Sequence, residues 1–348
     1  MAAIEVGILG ATGAVGQQFI ALLANHPWFK VTWLGASQRS EGKAYRDATA
    51  WRLSSPLPDD VAGRQVDAAT PGRAPKLVFS GLDSSVAGEI EAAFAQAGHF
   101  IVSNSRNYRM EADVPLLIPE VNADHLELLK SQSAARGWKG SIVTNPNCAV
   151  VVLAMALAPL RQFGLKKTTI TTMQAISGAG YPGVASWDIL ANVVPYIGGG
   201  EEEKVQTETN KILGTLRNGA VVDHPVAVSA TTTRVPVHNG HTGSISVSFE
   251  RPPDANAIVD AWNTFRGKPQ ELELPSAPKQ PIVYLSDANR PQPALDANRD
   301  GGMTVTVGRL RPCPVLDFKF VALGHNTIRG AAGAAVLNAE LMHRERIL

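Results

Sequence analysis

The chain is poor in cysteine, with only Cys148 and Cys313 in 348 residues. That is too few for a disulfide framework and fits a reducing cytosol, so a cytoplasmic location is expected. It has little charge imbalance: the formal net charge is +1, and no basic tail or long block of like charge occurs. Nucleic acid and an anionic membrane are therefore set aside as main partners. Long apolar runs are missing too. The longest, Cys148 to Leu160, falls short of the roughly 20 residues that span a bilayer. The stretch from Met1 to Gly16 lacks a basic n-region and ends in glycines, so it reads as a strand rather than a signal peptide. There is no HExxH, no paired CxxC and no internal repeat, and no metal site is expected. Asp296-Ala-Asn298-Arg-Asp300-Gly301 begins like a calcium loop, but Val307 stands where the bidentate glutamate would be needed. Ser177 lacks the glycine two residues earlier that a hydrolase elbow requires.

What is present is ordinary globular material, 45% apolar and 18% charged. At roughly 150 residues per domain the length suggests two domains. The first half alternates strand and helix. Strands are expected at Ile4–Leu9, Val31–Leu34, Leu77–Ser80, Phe100–Val102 and Ser141–Thr144, with helices over Gln17–Asn25 and Val86–Ala97 and Gly98 as a stop. That alternation implies βαβ units and a parallel sheet. The second half opens with an apolar helix, Cys148–Phe163. Alternating strands then follow at Thr168–Gln174, Thr242–Phe249, Thr304–Leu310 and Phe318–Leu323, the period of a mixed or antiparallel sheet packed on one face. Asp254–Arg266 reads as a helix, Lys268 to Gly302 as a surface excursion, and Asn326–Leu341 as a small-residue helix folding back on the first half. The expected fold is α/β, a Rossmann-like dinucleotide-binding domain over 1–147 completed by 326–348, and an α+β catalytic and dimerisation domain with a mixed sheet over 148–325.

Gly7-Ile-Leu-Gly10-Ala-Thr-Gly13-Ala-Val-Gly16 lies between the first strand and first helix, where glycines admit a pyrophosphate to the helix N-terminus. A tight turn without a ligand is the bland alternative. After the second strand, Ser37-Gln-Arg39-Ser40-Glu-Gly-Lys43 replaces the acid that an NAD site uses, and hydroxyls and cations suit the 2′-phosphate of NADP. Solvated loop residues would look the same.

Thr144-Asn145-Pro146-Asn147-Cys148 follows a strand and opens the apolar helix. A cysteine there is expected to have its pKa lowered by the helix dipole, making it a candidate nucleophile, although a lone cysteine is more often inert. Gln174-Ala-Ile-Ser177-Gly178-Ala-Gly180 resembles a second backbone nest. Arg234-Val-Pro-Val-His238-Asn-Gly240-His241 reads as one strand carrying a cation and two histidines, Arg234 and His238 sharing a face, with His241 joining them only if Asn239-Gly240 bulges or turns.

In order and spacing, these segments, with Gly200-Glu-Glu-Glu-Lys204 and Asn326-Thr-Ile-Arg-Gly-Ala-Ala-Gly, resemble the aspartate-semialdehyde dehydrogenase family nearly end to end, above all its archaeal and fungal-type branch. The resemblance implies Cys148 as nucleophile, His241 as acid/base and Gln174 orienting the thiohemiacetal. It implies that Arg234 holds the substrate carboxylate, Glu201 (adjoined by Glu202 and Glu203) the amino group, Arg109 and Lys204 the phosphate, with Asn147 helping. For NADP it implies contacts from Gly10, Thr12, Gly13, Ala14 and Val15, from Ser37, Arg39 and Ser40, and from Ser80, Ser177, Gly178 and Asn326. The implied reaction is NADPH-dependent reduction of L-4-aspartyl phosphate to L-aspartate 4-semialdehyde and phosphate through a cysteine thioester, on the way to lysine, methionine and threonine, in a homodimer or homotetramer. A malonyl-CoA reductase-like paralogue would keep Cys148, His241 and NADPH. A non-catalytic NADP-sensing protein would not need the thiol.

Overall fold

The computed structural model describes residues 3–348. Strands β1 Ile4–Leu9, β2 Phe29–Ala36, β3 Asp67–Ala68, β4 Leu77–Ser80, β5 Phe100–Ser103 and β6 Ser141–Thr144 form a six-stranded sheet in the order β3-β2-β1-β4-β5-β6. Every pairing in it is parallel. This is the doubly wound order, whose crevice opens at the carboxyl ends of β1 and β4, where the strand order reverses.

The second sheet contains β7 Leu165–Gln174, then β10 Ala227–Arg234, β11 His241–Phe249, β12 Ile282–Leu285, β13 Val305–Pro312 and β14 Phe318–Gly324, in the order β10-β7-β11-β14-β13-β12. A hairpin of β8 Thr215–Arg217 and β9 Ala220–Val222 stands apart. The pairs β10–β7 and β12–β13 are parallel and the others antiparallel, so the sheet is mixed as expected.

Helices of eight residues or more are α1 Ala14–Leu23, α2 Ser84–Ala97, α3 Leu129–Arg136, α4 Cys148–Leu157, α5 Glu201–Ile212, α6 Ala255–Thr264 and α7 Gly333–Arg344. In α4 every residue after Cys148 is buried. It packs against β11, β14 and α5, so its apolar surface has no solvent side. Each fully buried valine, leucine or methionine there contributes about 1.5–3 kcal/mol relative to exposure. Such burial fixes the position of whatever stands at its first turn. The helix gives way at Ala158–Phe163 to a tighter 3-10 segment that begins with Pro159 at its second position and ends at Gly164, φ +73°.

Residues Ile328–Ala332 form a single π-helical turn that runs into α7. Val336, Leu337, Leu341 and Met342 of α7 join Val6, Ile8, Phe19 and Ile20 in one core, so the chain returns to the first sheet. Arg329, on the π turn, makes a buried bidentate pair with Glu120 at 2.8 and 2.7 Å, tying this return to the segment before β6.

Two expectations need correction. α1 starts at Ala14 rather than Gln17, directly on Gly13, because the glycine loop is itself the helix entry. Residues 268–302 are not only a surface excursion: Ile282–Leu285 pairs parallel to β13 as an edge strand. Its short apolar run is hidden among Pro, Asp and Asn. Asp296, buried in that segment, is a turn anchor that accepts from Arg290 and from the Gln292 N–H at 2.7 Å.

Candidate active site

Gly10 has φ +72°, and a Cβ on it would press against the backbone of Gly81. A Cβ on Gly16 would collide with the carbonyl oxygen of Gly10. These two glycines close the turn, while Gly13, Ala14 and Val15 line a cleft of about 550 Å³ between the two sheets. The first N–H groups of α1 have no partner within the helix and are available to an anion. Across the cleft lie Ser177, Gly178 and Asn326. Asn326 brackets that wall, accepting from the Gly240 N–H and donating to Ser177 Oγ, both at 2.8 Å.

A second hollow of about 490 Å³ shares Gly13, Ala14 and Tyr181 with the first and is lined by Thr12, Ser37, Arg39, Ser40, Lys43 and Arg52. Its lining carries cations and hydroxyls but no carboxylate, a composition that suits a phosphate. Two expected contacts lie elsewhere. Gly10 shapes the loop from behind, and Ser80 is fully buried at the end of β4, outside both linings.

Cys148 is the first residue of α4, and Asn147 caps the helix by accepting from the Ala149 and Val150 N–H groups at 2.8 and 3.3 Å. Cys148 Sγ lies 3.1 Å from His241 Nε2. His241 Nδ1 accepts the Ala175 N–H at 3.0 Å, which puts the proton of the neutral ring on Nε2, facing the sulfur. Burial, then the Arg234 and His325 charges, push His241 down to about 3. The expectation for Cys148 is reversed in the free protein: burial and the Glu201 carboxylate push its thiol up to about 12, against the opposing pull of Arg109, Arg234 and the Ala149 N–H. Loss of solvent outweighs these attractions, so both partners rest neutral.

The reading of Arg234 through His241 as one strand also fails. β10 ends at Arg234, Val235–Gly240 is a loop, and His241 opens β11 on the far side of β7. Pro236 cannot extend a ladder, and Gly240 turns the chain at φ +97°. His238, on this loop, is exposed. Because β10 and β11 flank β7, Arg234, Gln174 and His241 meet at one end of the sheet. Arg234 Nη1 donates to the Ala175 carbonyl at 2.7 Å. A Cβ on Gly178 would come within 2.9 Å of both Arg234 Nη1 and the His241 ring, so only glycine lets that wall approach.

Glu201 begins α5 and faces inward. Its Oε1 accepts from Asn147 Nδ2 at 2.8 Å and from Gln174 Nε2 at 3.3 Å, and its Oε2 from Lys204 at 3.2 Å. Glu202 instead accepts from the Thr232 N–H of β10 at 2.9 Å, and Glu203 is exposed. Arg109 is buried, donating to Glu208 at 3.0 Å and to the Asn104 carbonyl at 2.7 Å, and with Lys204 it lines the cleft. The site thus gathers a thiol, an imidazole, cations at Arg109, Lys204 and Arg234, and the Glu201 carboxylate.

Sequence reading missed Glu208, whose Oε2 accepts the Asn147 N–H at 2.6 Å and so steadies the cap beside the nucleophile. Glu201, Lys204, Glu208 and Lys211 recur at helical spacing on one face of α5, the signal that this polar stripe faces inward. It also missed Gly330, where a Cβ would lie 2.7 Å from Cys148 Cβ.

Residues 5–129 match the family model for the semialdehyde dehydrogenase NAD binding domain, and residues 157–329 that for the semialdehyde dehydrogenase dimerisation domain. The chain is 46% identical over 345 residues to aspartate-semialdehyde dehydrogenase of Archaeoglobus fulgidus, covering 99% of each. It is 47% identical over 359 residues to the Schizosaccharomyces pombe enzyme of that name, covering 100% of each. Among solved structures, aspartate semialdehyde dehydrogenase with NADP from Candida albicans superposes with a TM-score of 0.91 at 42% identity over 100% of both chains. Aspartate semialdehyde dehydrogenase II complexed with ASA from Vibrio cholerae does so with a TM-score of 0.78 at 26% identity over 99% of both.

Proposed function

The chain belongs to the aspartate-semialdehyde dehydrogenase family, and from that premise we propose how its residues carry out the NADP-dependent reaction of the aspartate pathway. The observation that carries the proposal is the Cys148 Sγ to His241 Nε2 approach of 3.1 Å at the first turn of a buried helix, walled by Arg234 and Glu201.

NADP fits the paired hollows. Gly13, Ala14 and Val15 would receive the pyrophosphate at the start of α1, and Ser37, Arg39 and Ser40 the 2′-phosphate. Ser177, Gly178 and Asn326 would border the nicotinamide end. When bound, NADPH supplies hydride to the thioester carbonyl.

Arg234 has the fork to pair bidentately with the substrate carboxylate. Glu201 is the carboxylate placed to receive the amino group, and Arg109 and Lys204 would take the phosphate. Gln174, beside Glu201, is assigned to orient the thiohemiacetal, and Asn147 to help hold the substrate. Sulfur attack forms the C–S bond and breaks the acyl C–O bond, and the thiol proton leaves with the phosphate. The reduction consumes one proton, which returns to sulfur as the thiohemiacetal collapses to L-aspartate 4-semialdehyde. His241 offers its Nε2–H to the sulfur and carbonyl oxygen while negative charge develops there. Taking a full proton from sulfur would disrupt its hydrogen bond from Ala175, so we assign its acid/base work to moments when the site is filled.

We further propose a homodimer or homotetramer, supported by the match to a dimerisation domain, and a cytoplasmic location. Among the described residues no helix is long and apolar enough to cross a membrane. The test is a substrate panel. NADP reduction is expected with aspartate semialdehyde plus phosphate, and turnover only with malonate semialdehyde plus CoA would replace the acyl-phosphate assignment.

A further inference from the structure

Arg52 was not singled out by any motif, yet it lines the hollow assigned above to the adenosine 2′-phosphate. Its backbone is held in place: the Arg52 N–H donates to Gln17 Oε1 at 2.9 Å, while Gln17 Nε2 donates to the carbonyls of Thr12 and Ala50 at 3.3 and 3.1 Å. Gln17, itself buried, thus ties this loop to the phosphate-binding turn. The Arg52 guanidinium carbon lies 3.5 Å from the ring centroid of Tyr181. Tyr181 comes from the other half of the chain, in the loop after Gly178, and borders both hollows where they join. Tyr181 is 65% exposed, so core packing does not explain its place.

A guanidinium lying on an aromatic face still presents its N–H donors at its edge, in its own plane. We propose that Arg52 and Tyr181 form a clasp across the cofactor cleft, the ring holding the guanidinium so that its edge reads the 2′-phosphate beside Arg39 and Lys43. The proposal rests on the NADP reading above and adds two residues to it. It makes NADP selectivity depend on both halves of the chain, because the ring that aims the arginine belongs to the substrate-binding half.

The experiment measures dissociation constants of NADPH and NADH by fluorescence titration of the full-length protein and of Arg52→Ala, Tyr181→Ala, Tyr181→Phe and the double Ala variant. Losing a charge-assisted contact is expected to weaken NADPH about tenfold in Arg52→Ala, with NADH changed much less. Losing the ring is expected to weaken NADPH roughly threefold in Tyr181→Ala. Phenylalanine restores affinity, and removing the ring costs nothing further once Arg52 is gone. Equal losses for NADPH and NADH in Arg52→Ala overturn the proposal, as does a Tyr181→Ala effect of the same size with and without Arg52. Wild-type protein that binds both cofactors equally overturns the NADP reading and the clasp with it. Wild-type preference for NADPH that survives Arg52→Ala overturns the clasp alone.

Discussion

Glu201→Gln separates two demands placed on one carboxylate. In the free protein that carboxylate lies against Asn147, Gln174 and Lys204. After burial itself, it is the strongest influence raising the Cys148 thiol to about 12. Glutamine has nearly the same shape and no charge, so the thiol pKa is expected to fall. Each unit by which the pKa falls raises the thiolate fraction at pH 8 about tenfold. A less basic thiolate is also a weaker nucleophile, and a Brønsted slope of about 0.4–0.5 removes roughly threefold of that gain. Alkylation by iodoacetamide is therefore expected to run faster in Glu201→Gln, about threefold for each unit of that fall, while kcat/KM for the semialdehyde falls because the substrate ammonium loses its partner. The assay follows the Cys148 peptide by mass spectrometry in a Cys313→Ser background, since Cys313 meets solvent and the Leu316 N–H holds its thiol below the usual range. Alkylation no faster than in the parent would refute the electrostatic argument. If the argument holds, an ammonium docked on Glu201 does what the substitution does, and the thiolate forms when the substrate is in place.

Cys148→Ser is expected to keep NADPH affinity and lose nearly all turnover, because an alkoxide is barely populated at neutral pH; substantial residual activity would sink the thioester route. Arg234→Lys keeps charge but cannot serve both the Ala175 carbonyl and a carboxylate with a planar fork, so kcat/KM is expected to drop roughly 10²-fold with NADP affinity little changed. Equal loss of NADP affinity would show that Arg234 is structural. Arg329→Leu strands the buried Glu120 carboxylate and is expected to cost about 3–5 kcal/mol in urea unfolding; a cost below about 1 kcal/mol would contradict that pairing. His241 resists protonation until about pH 3, whereas the unfolded chain takes that proton near pH 6.5, the group's ordinary value. Its contribution is present above that ordinary value and lost as pH falls toward the lower one, by up to about 1.36 kcal/mol per pH unit. The stability difference between pH 7 and pH 5 should be smaller in His241→Asn than in the parent, and an equal difference would count against the burial argument.

Five strands of the first sheet were legible because each is a short apolar run, and the glycine loop sits where a strand feeds a helix; the edge strand β3, two residues beginning with Asp67, carries no such run and was missed. Cys148 was legible as a helix start, but the direction of its pKa was not, since burial depends on the packing of β11, β14 and the π turn around it. The register error at Arg234–His241 came from counting alternation through Pro236 and Gly240, residues that interrupt a ladder. Glu201 and Lys204 looked like a solvated face because charge on a helix usually is; only the depth at which α5 is set reveals otherwise. Arg52 and Tyr181 carried no local signal, since their meeting is made by the closeness of two loops about 130 residues apart in sequence.

The glycine contact at the nucleophile has a consequence for synthesis. Gly330 lies against Cys148 and follows every strand of both sheets in chain order. A ribosome-bound chain that has already made Cys148, His241 and the whole second sheet still lacks the turn that packs on the Cys148 backbone, and the first sheet still lacks α7. The turn that closes on Cys148 is therefore added only after the imidazole, the cations and the carboxylate of the reaction centre have been translated.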